Sequence, residues 1–136
     1  MYDKKVAIVI QDNLLPWQKL NVASFLASSI AIKFPETHGQ EFVTADQVSF
    51  LPFLKNPILI YKAETKEKLQ RAFVRAKDRE LAIGIYTSAL FETRSGEENV
   101  IEIAKNTAVD LDLVGIIVYG ENKKVDKALE GLKFHD

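Results

Sequence analysis

The sequence contains no cysteine. That excludes a disulfide framework, a thiolate zinc site and a cysteine nucleophile, and makes a reducing compartment the expected setting. Histidine is scarce as well, with His38 and His135 the only two. His38 stands beside Gly39 in an expected loop and His135 in a tail expected to fray, so both are read as exposed. Neither has a His-x-Glu partner or paired acids at helix spacing nearby, so a metal set and a serine-histidine triad lack support. The six glycines form neither G-x-G-x-x-G nor a Walker loop, which leaves dinucleotide and nucleoside triphosphate sites without a motif. No cofactor and no metal are expected. The apolar run Val6 to Ile10 is too short for a signal-peptide core or a membrane span. The expected location is therefore the cytoplasm, without membrane attachment.

A basic excess is also lacking. Eighteen Lys and Arg stand against nineteen Asp and Glu, a net charge of −1, whereas a general nucleic-acid binder shows its phosphate-neutralising role as a marked positive balance. Charge is nevertheless unevenly placed. Residues 62–80 hold seven bases and four acids, and residues 92–112 hold six acids and two bases. Two solvated helix faces account for this most simply; electrostatic pairing between two copies of the chain is the sharper alternative. The 136 residues, 47% hydrophobic and 27% charged, fit one folded domain spanning 1–136.

Several periodic segments are present. Lys4 to Ile10 reads as a buried strand closed by the turn-prone Gln11-Asp12-Asn13. Pro16 suits the first turn of a helix, and Trp17 to about Ile32 is apolar almost all round, which predicts a largely buried helix. Residues 41–57 read as irregular, with short strands at Phe42-Val43-Thr44 and Val48-Ser49-Phe50. Ile58 to Tyr61 is a second buried strand, followed by a charged helix with Leu69, Ala72, Phe73 and Ala76 on one stripe. Leu81 to Tyr86 is a third strand. Ser95 and Glu98 form a capping-box pattern that starts a helix running from about Glu97 to Thr107. Leu113 to Tyr119 is a fourth strand, Gly120-Glu121-Asn122 a turn, and Val125, Ala128, Leu129 and Leu132 line a last helix. Strands alternating with helices imply an α/β sandwich with helices on both sheet faces.

In open α/β sheets ligands lie outside the carboxyl ends of strands. The candidates at such ends are Asp12 and Asn13, Lys62, Thr87 and Ser88, and Tyr119. They form one pocket only where the ends point the same way, because an antiparallel strand sends its end to the opposite edge. Asp12 and Asn13 also suit turn or cap roles, and Lys62 a surface role at the start of the basic helix. Asn21 is a polar amide in an apolar helix and must find partners or lose about 1–3 kcal/mol on burial. Trp17, Phe50, Phe53 and Leu54 suit a core or dimer seam, or else an exposed contact surface.

The order of these elements, together with several strings, resembles the peptidyl-tRNA hydrolase type II-like superfamily, most closely a bacterial branch of uncharacterised proteins. The strings are Val6-Ala7-Ile8-Val9-Ile10 with Asp12, Leu15-Pro16, Leu20-Asn21-Val22-Ala23, Pro57-Ile58 with Lys62-Ala63, Leu69 and Ala76, Val114-Gly115, and Tyr119-Gly120 with Lys124-Val125-Asp126-Lys127. The resemblance covers nearly the whole chain. It implies a three-layer α/β/α domain around a mixed, roughly four-stranded sheet, with relatives often dimeric. It also places Lys19 at or near the lysine of the active hydrolases. Their glutamine and histidine positions fall near Ala23 and Leu26, and their Asp-Ala-Gly segment on Tyr86-Thr87-Ser88-Ala89, so the polar partners of that lysine are missing.

Two functions follow as expectations. The first is binding of a small ligand or partner in a cleft near Asp12, Lys19 and Asn21, by a homodimer. The second is a divergent peptidyl-tRNA or aminoacyl-tRNA hydrolase using Lys19, with tRNA as partner in that case only. A carboxylate within hydrogen-bond reach of Lys19 would favour the second, and Asp12 is the nearest in sequence.

Overall fold

The structure is a computed structural model and describes residues 2–136. Strand β1 (Lys4–Gln11) lies at its centre, with every residue from Val6 to Gln11 buried. Even-numbered Val6, Ile8 and Ile10 point into one core layer and odd-numbered Ala7 and Val9 into the other. A strand covered on both faces has no polar side to present, hence its unbroken apolar run.

Strand β4 (Ile58–Ala63) pairs parallel to β1, and β6 (Leu113–Glu121) antiparallel to it. Strand β5 (Ala82–Thr87) is antiparallel to β6, and β7 (Lys133–Phe134) antiparallel to β4. The result is a five-stranded mixed sheet in the order β5-β6-β1-β4-β7. The expected four strands are all present, and β7 is the addition. Two residues are too few to show a period. β7 is held instead by stacking of the Phe134 ring on Tyr61, centroids 4.6 Å apart, and by the His135 N–H bonded to the Ile60 carbonyl at 2.9 Å.

Helix α1 (Pro16–Lys33) covers one sheet face through Val22, Leu26 and Ile30. Gly115 permits this approach, because a Cβ there would lie 2.6 Å from a Val22 methyl. Helices α2 (Lys66–Asp78) and α4 (Asn122–Ala128) cover the other face. In α2 all four stripe residues are buried, and Thr65 Oγ1 accepts the Lys68 N–H at 3.1 Å as its cap.

Several local expectations change, among them the last helix, which ends at Ala128 and leaves Leu129 and Leu132 beyond it. Helix α1 is not largely buried: Leu20 is 70% exposed and Ile32 83%. Strands β2 (Phe42–Val43) and β3 (Ser49–Phe50) form a separate two-stranded ribbon, and α3 (Gly96–Ala104) has no buried residue. Glu121 is not in a turn, since its pairing with Lys4 extends β6 until α4 begins at Asn122. Helix α3 ends before Thr107, whose hydroxyl bonds Asp110 and turns the chain. Among the described residues no helix is long and apolar enough to cross a membrane.

Candidate functional site

Because β1, β4 and β5 run one way and β6 the other, the carboxyl ends of the first three share one edge of the sheet. Asp12, Lys62, Thr87 and Ser88 therefore gather at that edge. Tyr119 does not, because it sits toward the far end of antiparallel β6, where its hydroxyl bonds Glu36 Oε2 at 3.2 Å and burial raises its pKa. Asn13 is at the shared edge but exposed and unengaged among the described side chains.

Helix α1 then divides the candidates into two sites. Residues two apart on a helix point about 160° apart around the axis, so Lys19 and Asn21 face opposite flanks. The expected single cleft containing both is not formed.

On the flank of β4 and β7, Lys19 Nζ lies 3.2 Å from Asp12 Oδ1 and 3.1 Å from His135 Nε2. Lys62 Nζ meets both carboxylate oxygens of Asp136 at 3.2 Å. Asp12 is held below the usual carboxylate range, first by the Lys19 hydrogen bond and further by the charges of Lys19 and Lys62. Lys62 is pushed above its ordinary value, chiefly by its bond to Asp136. His135 is thus no frayed, exposed residue: β7 carries it onto Lys19. Nothing local in the sequence signals this, because the contact spans 116 positions. His38 is exposed as expected, with Nε2 against the Ala31 carbonyl.

On the other flank, Asn21 faces β5. Its Oδ1 accepts the Tyr86 hydroxyl at 3.2 Å, and burial raises the Tyr86 pKa. The pair forms the floor of an open groove of about 1010 Å³ between α1, the end of β5 and α3. Trp17, Phe25 and Phe91 supply aromatic walls, with Trp17 edge-on to Phe91 at 5.7 Å and Phe91 tilted against Tyr86 at 5.1 Å. Val100 and Ile103 of α3 form the opposite wall. α3 is held at its start, where Ser95 Oγ accepts the Glu98 N–H at 3.2 Å. Glu98 reaches back to the N–H of Arg94, not to that of the cap residue. The helix otherwise leans mainly on the 3-10 turn Ser88–Glu92 before it.

Trp17 is therefore groove wall and not core, while Phe50 and Phe53, 58% and 73% exposed, belong to the ribbon and the chain after it. Thr87 is buried at the end of β5. Ser88 Oγ donates to Asp112 Oδ2 at 2.5 Å, and Lys66 bonds the other oxygen at 2.9 Å. Those two contacts, Ser88 first, hold Asp112 below its ordinary pKa. Ser88 thus ties the end of β5 to the start of β6, and no histidine faces it. Among the described residues no group of three or more His, Asp or Glu could hold a metal ion.

No curated protein matches the chain. Among solved structures, it is similar to a protein of unknown function from Agrobacterium tumefaciens, with 28% identity over the whole of both chains and a TM-score of 0.94. Residues 4–136 match the family described as "Protein of unknown function (DUF2000)". With almost its entire length covered, the chain belongs to the DUF2000 family.

Proposed function

We propose that this protein binds a small, largely apolar ligand in the groove between α1 and α3. The observation carrying this reading is a helix held off the sheet: α3 buries none of its residues, yet turns Val100 and Ile103 toward the space above Asn21 and Tyr86. Exposed apolar walls around a few convergent polar groups are what small-molecule sites present, and the volume matches the largest of them, roughly 300–1,000 Å³. A ligand there would supply the contacts that α3 lacks. Trp17, the sole tryptophan, lines the groove and reports on it. Addition of the neutral probe N-phenyl-1-naphthylamine is expected to quench Trp17 emission by energy transfer, and Ile103→Glu to weaken that binding. A folded protein that shows no transfer refutes the reading.

The second reading, a peptidyl- or aminoacyl-tRNA hydrolase, is favoured by one specific observation. Lys19 has the carboxylate of Asp12 within reach, and the imidazole of His135 beside it. These groups could position water against the ester that joins an acyl group to tRNA. Release of the acyl group from a labelled N-acetyl-aminoacyl-tRNA, lost in Lys19→Ala, would establish this activity. Absence of turnover in the folded wild type would remove it.

Wider kinship with the peptidyl-tRNA hydrolase type II-like superfamily, a single domain over 1–136, and a bacterial cytoplasmic setting remain part of this proposal. They are supported by the strings that carry the resemblance, a mixed sheet with helices on both faces, and the absence of cysteine. A homodimer is supported by the β2–β3 ribbon, on which Phe42 and Phe50, with Leu51 just beyond, are 48%, 58% and 85% exposed. Sedimentation equilibrium tests it, with a double change of Phe50→Glu and Leu51→Glu expected to give a monomer.

A further inference from the structure

We infer that the ligand of the α1–α3 groove is an acid: an elongated apolar body ending in a carboxylate. The inference rests on the groove being the binding site and adds the chemistry of what it takes.

The hydrogen-bonding capacity left open in the groove decides the class. Ser29 Oγ donates to the Leu26 carbonyl at 2.6 Å, and Thr93 Oγ1 bonds the Leu90 carbonyl at 2.9 Å. Tyr86 gives its proton to Asn21 Oδ1, which orients the amide and leaves Nδ2 without a protein acceptor among the described residues. Among the described residues, Arg94 is the only charged one lining the groove. Its guanidinium takes part in none of the ion pairs of the described residues. The nearby acid Glu98 is engaged by the backbone N–H of Arg94.

The side-chain N–H groups available to a ligand are thus those of Asn21, of Asn99, whose Oδ1 faces the Thr93 hydroxyl, and of Arg94, all donors and one of them cationic. A donor that the bound ligand would cover rewards an acceptor and penalises another donor. Guanidinium pairs best with a carboxylate, whose two oxygens match its fork. An amine would place cation beside cation, and a neutral ester would gain no charge-assisted contact with the exposed Arg94. The aromatic and aliphatic walls select the rest of the molecule by area alone.

Competition against N-phenyl-1-naphthylamine at pH 7.5, read through transfer from Trp17, separates the possibilities. Decanoate is expected to displace the probe at about tenfold lower concentration than methyl decanoate or decylamine, the factor one charge-assisted contact supplies. Arg94→Gln is expected to erase that preference, read as the ratio of the three ligands' displacing concentrations within the variant itself, whatever its affinity for the probe. Equal displacement by the three ligands, or a preference that survives Arg94→Gln, overturns the acid class and leaves the groove standing. Failure of the probe to bind wild type removes the groove and this inference together.

Discussion

The ammonium group of Lys19 lies 3.1 Å from Nε2 of His135, 116 residues further along the chain. An ammonium has no lone pair to offer, so Nε2 accepts and the ring hydrogen sits on Nδ1, which faces the backbone oxygen of Asp136 at 3.1 Å. The first helix and the edge strand β7 are joined through this imidazole. The same lysine holds Asp12, so one cation links the end of β1, helix α1 and β7.

That linkage makes Asp12 a reporter. Its folded pKa is lowered, so its ion pair stabilises the fold above the ordinary carboxylate range and the contribution is lost as pH falls through the lowered value. Lys19→Ala removes the first-named cause. The carboxyl chemical shift of Asp12, followed by NMR from neutral to acidic pH, is expected to move its midpoint upward in the variant. A midpoint that stays in place would show that Lys19 does not govern Asp12.

The packing of α1 gives a second prediction. A Cβ at Gly115 would stand 2.6 Å from Val22 Cγ1 and 3.3 Å from Leu26 Cδ1, both buried against β6. Gly115→Ala must push α1 outward, at a cost of about 1–3 kcal/mol for overpacking. At Gly96 a Cβ meets nothing within 4 Å, and Gly96→Ala is expected to leave stability unchanged or slightly raised. Urea unfolding of the two variants measures the contrast. Equal midpoints would mean that α1 shifts freely over the sheet.

Such close contacts mark the limit of what the sequence discloses. The buried strands were legible because an unbroken β-branched run such as Val6 to Ile10 suits a strand covered on both faces. Helix α2 was legible for the opposite reason, with Leu69, Ala72, Phe73 and Ala76 standing out from charged neighbours. Helix α1 misled because an apolar surface reads the same whether a core or an open groove lies beside it. Asp12 and Lys19, seven residues apart, were recognisable as neighbours. Their third partner required β7, whose two residues carry no period. Asn21 was identifiable as a polar group in need of a partner, but Tyr86, 65 positions away, was not.

The loose seating of α3 gives the last prediction. Opening free energy follows local burial, and a helix with no buried residue, resting mainly on a 3-10 turn, belongs at the low end of the range. In hydrogen exchange its amides are expected to exchange on the order of 100-fold faster than those of β1, all of whose residues from Val6 to Gln11 are buried. A ligand seated against Val100 and Ile103 must leave before α3 can open, so occupancy slows exchange by mass action. At about 100 times the dissociation constant of the naphthylamine probe, α3 exchange is expected to slow by up to ~100-fold while that of α2, on the far face of the sheet, is unchanged. Uniform slowing of both helices would place the probe elsewhere or indicate global stabilisation, and unchanged α3 exchange with bound probe would separate the helix from the site.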